Sequence, residues 1–181
     1  MKIRSLGLIR NGLSWALVVS IMGAPFVSAE LTSVESRLAK IARQQKAPAI
    51  ALLEQVVNIN SGTMNHSGIK QVADVFDQEL KALGFETTWH DMSAVDRAGH
   101  LFADNGGPGV CQLLIGHLDT VFEASSPFQT FVRQGDKATG PGVSDMKGGD
   151  VVILYALKAL KAAGVLDEGR YIVALIGDEE K

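Results

Sequence analysis

One cysteine stands in the whole chain, Cys111, so no internal disulfide can form and a thiolate-rich metal centre is excluded. It lies in the apolar run Val110-Cys111-Gln112-Leu113-Leu114-Ile115, which predicts a buried structural thiol without chemistry of its own. Positive charge is also scarce. The formal net charge is -3 and the pI is near 5.8, which gives no electrostatic footprint for nucleic acid or an anionic membrane. No repeat or low-complexity segment is present, and with 46% hydrophobic residues the chain is neither disordered nor collagenous.

Acidic residues are missing from the first 29 positions. There Lys2, Arg4 and Arg10 precede an apolar run from Leu13 to Met22, followed by Pro25 and the small-residue pattern Val27-Ser28-Ala29. The run falls short of the roughly 20 residues that cross a bilayer, so it predicts a secretory signal peptide cleaved after Ala29. Its removal takes three of the 17 basic residues and none of the 20 acidic ones, leaving residues 30–181 with a formal charge of -6. The expected location is periplasmic or secreted, with no stable membrane insertion after cleavage. Asn65-His66-Ser67 fits a glycosylation acceptor, a triplet that chance produces often.

Hydrophobic spacing predicts helices from Ser33 to about Gln45 and from Pro48 to about Asn58. A third carries Ile69, Val72, Phe76, Leu80 and Leu83 on one face and ends at Gly84. Strands are predicted over Phe85–His90, Gly99–Ala103 and Val110–Gly116, the last apolar enough for a central position covered on both faces. Short strands at Pro127–Gln134 and Lys137–Thr139, a long helix from about Asp145 to Ala163 and a final strand Arg170–Ile176 complete the pattern. Helices alternating with covered strands indicate an α/β fold, a three-layer α/β/α sandwich with a mixed, largely parallel sheet.

Three polar clusters sit where strands or loops run out, the usual place for ligands in open α/β sheets. In Gly116-His117-Leu118-Asp119-Thr120, residues two apart share a direction, so Asp119 can orient His117 as a metal ligand. Alone, the pair reads more readily as a strand-end histidine beside a capping carboxylate. Gly140-Pro141-Gly142-Val143-Ser144-Asp145-Met146-Lys147-Gly148-Gly149 delivers Asp145 to a helix start, where an N-cap is the simpler reading. Its glycine density suggests backbone held close to something else, such as a metal or ligand. It is neither a P-loop nor a dinucleotide fingerprint. Asp178-Glu179-Glu180 follows the last strand; adjacent side chains diverge there, so Glu180 can bind a metal while Glu179 faces substrate. One histidine with several carboxylates is an N/O donor set suited to zinc or a similar divalent ion.

With these motifs in this order, the segment from about Ala47 to Lys181 resembles the two-zinc exopeptidases and deacylases. That family includes glutamate carboxypeptidase of the carboxypeptidase G type, aminoacylase, acetylornithine deacetylase and succinyl-diaminopimelate desuccinylase. His117-Leu118-Asp119-Thr120-Val121 and Asp178-Glu179-Glu180-Lys181 bring it nearest the carboxypeptidase G branch. The resemblance implies two Zn2+ ions, replaceable by Co2+ or Mn2+, with His117 on one, Glu180 on the other and Asp145 bridging. It also implies that Asp119 orients His117, that Glu179 is the general base, and that the Asp145-Met146 peptide is cis. The implied activity is amide hydrolysis, releasing a C-terminal amino acid from a short peptide or N-acyl amino acid.

The same resemblance leads one to expect a further acidic ligand, a second histidine, more sheet and a dimerising lid domain, none of which lies within these 181 residues. Residues 30–181 therefore read as the N-terminal portion of a catalytic domain, with lid-type dimerisation not available to them. Two protein ligands per zinc predict weak metal binding and little hydrolysis from this chain alone. The last strand is expected to leave an apolar edge uncovered. The alternative is a non-catalytic α/β module that keeps the fold without the chemistry.

Overall fold

A computed structural model describes residues 30–181, so the expected signal peptide lies outside the described residues. Thr32 starts α1 (Ser33–Gln44) with a reciprocal capping box: its hydroxyl accepts from the Glu35 amide and the Glu35 carboxylate accepts from the Thr32 amide. After Gln45 the chain re-enters a helix, α2 (Lys46–Val57), with Pro48 in the first turn, where a missing N–H leaves no helical bond unmade. The Asn65 side chain accepts from the Gly68 amide and opens α3 (His66–Ala82), so the residue at the acceptor triplet is a helix cap.

The remaining elements are β1 (Glu86–Asp91), β2 (Gly99–Asp104), β3 (Cys111–His117), the hairpin β4 (Val132–Gln134) and β5 (Lys137–Thr139), α4 (Lys147–Ala162) and β6 (Arg170–Ile176). β1, β2, β6 and β3 form one sheet in that order; β1–β2 and β2–β6 are antiparallel, and β3–β6 is parallel. The α/β class and mixed sheet match the expectation, although among the described residues parallel pairing is confined to β3–β6. The strand expected over 127–134 shortens to Val132–Gln134, because Gln129 Nε2 donates to the Glu123 and Ser126 carbonyls and folds that stretch into a loop.

Helices α3 and α4 pack on the sheet and on each other, with α1 and α2 against α4. One continuous core results: Ile69, Val72, Phe76 and Leu80 from α3 and Val151, Leu154 and Leu157 from α4 meet Leu101, Ala103, Val173 and Leu175 of the sheet. Burying a side chain of this size contributes roughly 1.5–3 kcal/mol.

Two sequence expectations fail at the sheet edge. Among the described residues β3, read as a central strand, is at the edge, and β6, expected to be uncovered, has a neighbour on each side. Leu114 points into the core, while Leu113 and Ile115 are 55% and 60% exposed. Cys111 shares their alternate positions and is exposed too, which corrects the buried-thiol reading. Apolar content recorded how suitable the strand is for burial; neighbours decide whether burial is met.

Candidate metal centre

β3 carries His117 to its end, and the chain turns back so that His117 Nδ1 lies 3.1 Å from the Asp119 carbonyl oxygen and 3.4 Å from Asp119 Oδ1. Asp119 is fully buried. Its Oδ2 accepts from the Thr63 hydroxyl at 2.8 Å and the Glu180 amide at 3.1 Å, and its Oδ1 accepts from the Glu179 amide at 3.1 Å. Burial alone would raise this carboxyl; the bonds from His117, Thr63 and the two amides outweigh it and hold it below the ordinary aspartate value. Asp119 thus orients the imidazole and seats the main chain after β6 in front of it.

His117 Nε2 lies 3.0 Å from Asp145 Oδ1 and 4.0 Å from Glu179 Oε2. The Asp119 carboxylate, with Asp145 adding to it, pushes the imidazole pKa up to about 9 against the effect of burial. His117, Glu179 and Glu180 bring one ligand atom each within 4.8 Å of one another. Burial and then the nearby Asp145 charge raise Glu180 above the usual carboxylate range. Carboxylates held together with an imidazole in this way gain from a cation between them, and the donors are those a zinc-like ion accepts, so the residues fit the implied metal.

The three motifs read from sequence do converge. Asp145 meets His117 but has a side chain 78% exposed and stands outside the tighter three-residue group. It is also not a helix cap, since α4 begins at Lys147 after Met146. The Asp145-Met146 peptide is cis, as the resemblance implied.

Glycines in the 140–149 loop make room for protein rather than for a ligand. A Cβ on Gly140 would meet Val57, one on Gly148 would come within 2.2 Å of the Val143 carbonyl oxygen, and Gly142, at φ +79°, lies over the Lys147 stem. Lys147 is fully buried, with Nζ donating at 2.8 Å to both the Val56 and Ile59 carbonyls at the end of α2. Burial lowers its pKa to about 8, against the opposing charge of Asp150.

Sequence reasoning missed the segment that holds the motifs together. Residues 56–63 receive Lys147 from the loop before α4, and Asn58 Oδ1 accepts from the Phe131 amide. Asn60 Nδ2 donates to the Phe122 carbonyl and Gln129 Oε1, Ser61 donates to the Leu118 carbonyl, and Thr63 binds Asp119. The signal was only a polar loop; its partners lie 56 to 91 residues away and leave no local pattern.

Residues 113–181 match the family described as Peptidase family M20/M25/M40. The chain is 36% identical to Carboxypeptidase G2 of Pseudomonas sp. (strain RS-16), over 91% of this chain and 40% of that protein. It is 29% identical to a probable succinyl-diaminopimelate desuccinylase of Staphylococcus aureus, over 73% of this chain and 32% of that protein. In fold it is similar to human carnosine dipeptidase 1, with a TM-score of 0.70 at 17% identity, over 80% of this chain and 35% of that one. A dipeptidase of Saccharomyces cerevisiae gives the same score at 18% identity, over 82% and 35%. The chain spans 40% or less of the length of these relatives, and its three site motifs lie inside the segment that matches the M20/M25/M40 peptidase family.

Proposed function

We propose that this chain carries the metal-holding and proton-transferring part of a divalent-metal hydrolase of amide bonds. The substrate is a short peptide or N-acyl amino acid ending in glutamate, by likeness to the relative named as a carboxypeptidase. The observation that carries the reading is the convergence of His117, Glu179 and Glu180 within 4.8 Å, with Asp119 behind the imidazole. His117, Asp145 and Glu180 are the residues that would hold two zinc ions; cobalt or manganese would suit the same donors. A bound cation of this kind polarises a scissile carbonyl and acidifies a water.

The residues supply the rest. Asp119 fixes the ring so that Nε2 is the nitrogen turned toward Asp145 and Glu179. Glu179, tethered by its own amide to Asp119, takes the proton from the attacking water and returns it to the leaving amine. Residues 1–29 are assigned as an export signal and residues 30–181 as the N-terminal portion of the catalytic domain, consistent with the 40% of the carboxypeptidase relative that the chain spans. Zinc titration by equilibrium dialysis tests the centre. Wild-type chain is expected to bind zinc, His117→Ala and Glu180→Ala to bind it at least tenfold more weakly, and Glu179→Gln to keep the metal while losing any hydrolysis of an N-acyl glutamate. Equal zinc binding by wild type and His117→Ala sinks the reading.

A further inference from the structure

Among the described residues Lys147 is the only fully buried cation of the lysine or arginine type, and the chemistry above gives it no part. Without exposed surface it cannot meet a substrate, so it acts through its neighbours. Its Nζ donates at 2.8 Å to the Val56 and Ile59 carbonyls, at the end of α2 where main-chain carbonyls lack helical partners and carry partial negative charge. A burial this costly is met by bonds that fix the stem at both ends.

Asp145, two residues before it, is held in a different manner. Its side chain is 78% exposed and, among the described residues, hydrogen-bonds only to His117, so the main chain must aim it. The Gly148 amide donates to the Gly142 carbonyl at 3.2 Å and closes residues 142–148 into a loop. The Lys147 stem passes under that loop, where a Cβ on Gly142 would come within 2.9 Å of Cγ. Lys147 thus fastens the loop to the end of α2. The chain that follows α2 also holds the His117 side: Ser61 donates to the Leu118 carbonyl, and Thr63 to the Asp119 carboxylate behind the imidazole. We propose that Lys147 is a positioning residue, registering Asp145 against His117 by tying both to residues 56–63, so that the spacing of these two donors is set before any ion arrives. Calling Asp145 a metal ligand rests on the hydrolase reading above; the fastening itself does not. A lysine that only capped α2 would stabilise the fold and leave the contact between His117 and Asp145 as it is.

The test uses the 181-residue chain, metal-free and at fixed pH, with the His117 ring nitrogens followed by 15N NMR. Asp145→Ala removes the 3.0 Å contact and sets the reference shift of Nε2. Lys147→Met, matched in length but without a donor, is expected to move Nε2 in the same direction, and the double variant to move it no further than Asp145→Ala alone. If Lys147→Met does not fold, Lys147→Gln serves: its amide still donates, on a stem one atom shorter that draws the loop toward α2 and again displaces Asp145. An Nε2 resonance unmoved in the folded variant, or shifts that simply add, overturns the proposal. Zinc dialysis of the same samples separates the two readings. Lys147→Met should weaken zinc about tenfold with Asp145 present and not at all in Asp145→Ala, the scale on which residues behind a ligand act. A moved ring without zinc binding by wild type upholds the positioning role and removes the hydrolase, whereas zinc binding with an unmoved ring leaves the hydrolase and removes the positioning role.

Discussion

Asp119 accepts the Thr63 hydroxyl and two main-chain amides while facing an imidazole, so its charge and its acceptor geometry matter together. Asp119→Asn would turn an NH2 group toward one of those donors and leave it buried and unpaired, at a cost of about 1–3 kcal/mol. The expected result is a lower Tm together with weaker zinc binding, measured by calorimetry and dialysis. His117→Ala is expected to weaken zinc with a smaller loss of Tm. Asp150 behaves in the opposite way. Its carboxylate is buried in the first turn of α4 with neither oxygen hydrogen-bonded, and it fits against Gly116, where a Cβ would come within 1.9 Å of Oδ1. Burial raises its pKa well above the ordinary 3.8, with His117 and Lys147 opposing. Such a group binds more protons folded than unfolded, so it lowers stability as pH climbs above 3.8. Asp150→Asn is expected to raise Tm at pH 7 by about 2–4 °C, the shift that ~1 kcal/mol gives in a domain of this size. The gain should vanish below pH 3.8; an unchanged or larger gain in acid contradicts the account.

At the scale of elements, period and punctuation were legible in the sequence. The helical spacing of Ile69, Val72, Phe76 and Leu80 located α3 and its buried face, because helical geometry leaves few ways to hide those residues. The strand expected over Gly99–Ala103 is β2, whose Leu101 and Ala103 face inward. Strand order was not legible. β3 is apolar along its whole length, and nothing local tells a strand with two neighbours from one with a single neighbour. The difference can be measured by contrasting adjacent substitutions. Leu114→Lys drives a charge into the core and is expected to unfold the chain or lower its Tm steeply, whereas Ile115→Lys, one residue on and facing outward, should leave Tm nearly unchanged in thermal denaturation. Equal losses would mean that both faces of β3 are covered. The site was legible to a similar depth. His117, Glu179 and Glu180 were named from strand ends and Asp145 from a glycine-rich loop, and they do meet, while Thr63 and Lys147 were not named, since a hydroxyl in a loop and a lysine at a helix start acquire meaning only from partners far along the chain.

For the whole molecule, the single core on the helix side leaves an apolar strip on the other face of the sheet, where Leu113 and Ile115 of β3 lie beside Ile172 and Ala174 of β6. Among the described residues β3 also offers an edge without lysine, arginine, carboxylate or proline, side chains that commonly keep sheet edges apart. The chain is expected to associate reversibly as concentration rises, seen as a growing sedimentation coefficient in velocity centrifugation, and the double substitution Leu113→Lys with Ile115→Lys should hold it monomeric. A wild-type chain that stays monomeric throughout would count against this. Long-range ties of this kind also order the assembly of the site: the Thr63–Asp119 and Asp119–Glu180 bonds span 56 and 61 residues, so local helices can form well before the ligands meet.

The Asp119 carboxylate grips Glu179 and Glu180 by their amides, and every residue except proline has an amide to offer. What is fixed at these two positions is where the chain runs, and the side chains projecting from it remain free to vary. The centre is thereby open to retuning: exchanging Glu180 for histidine or glutamine would change donor hardness and charge, and with them the preferred ion, while the scaffold that aims those donors stays as it is.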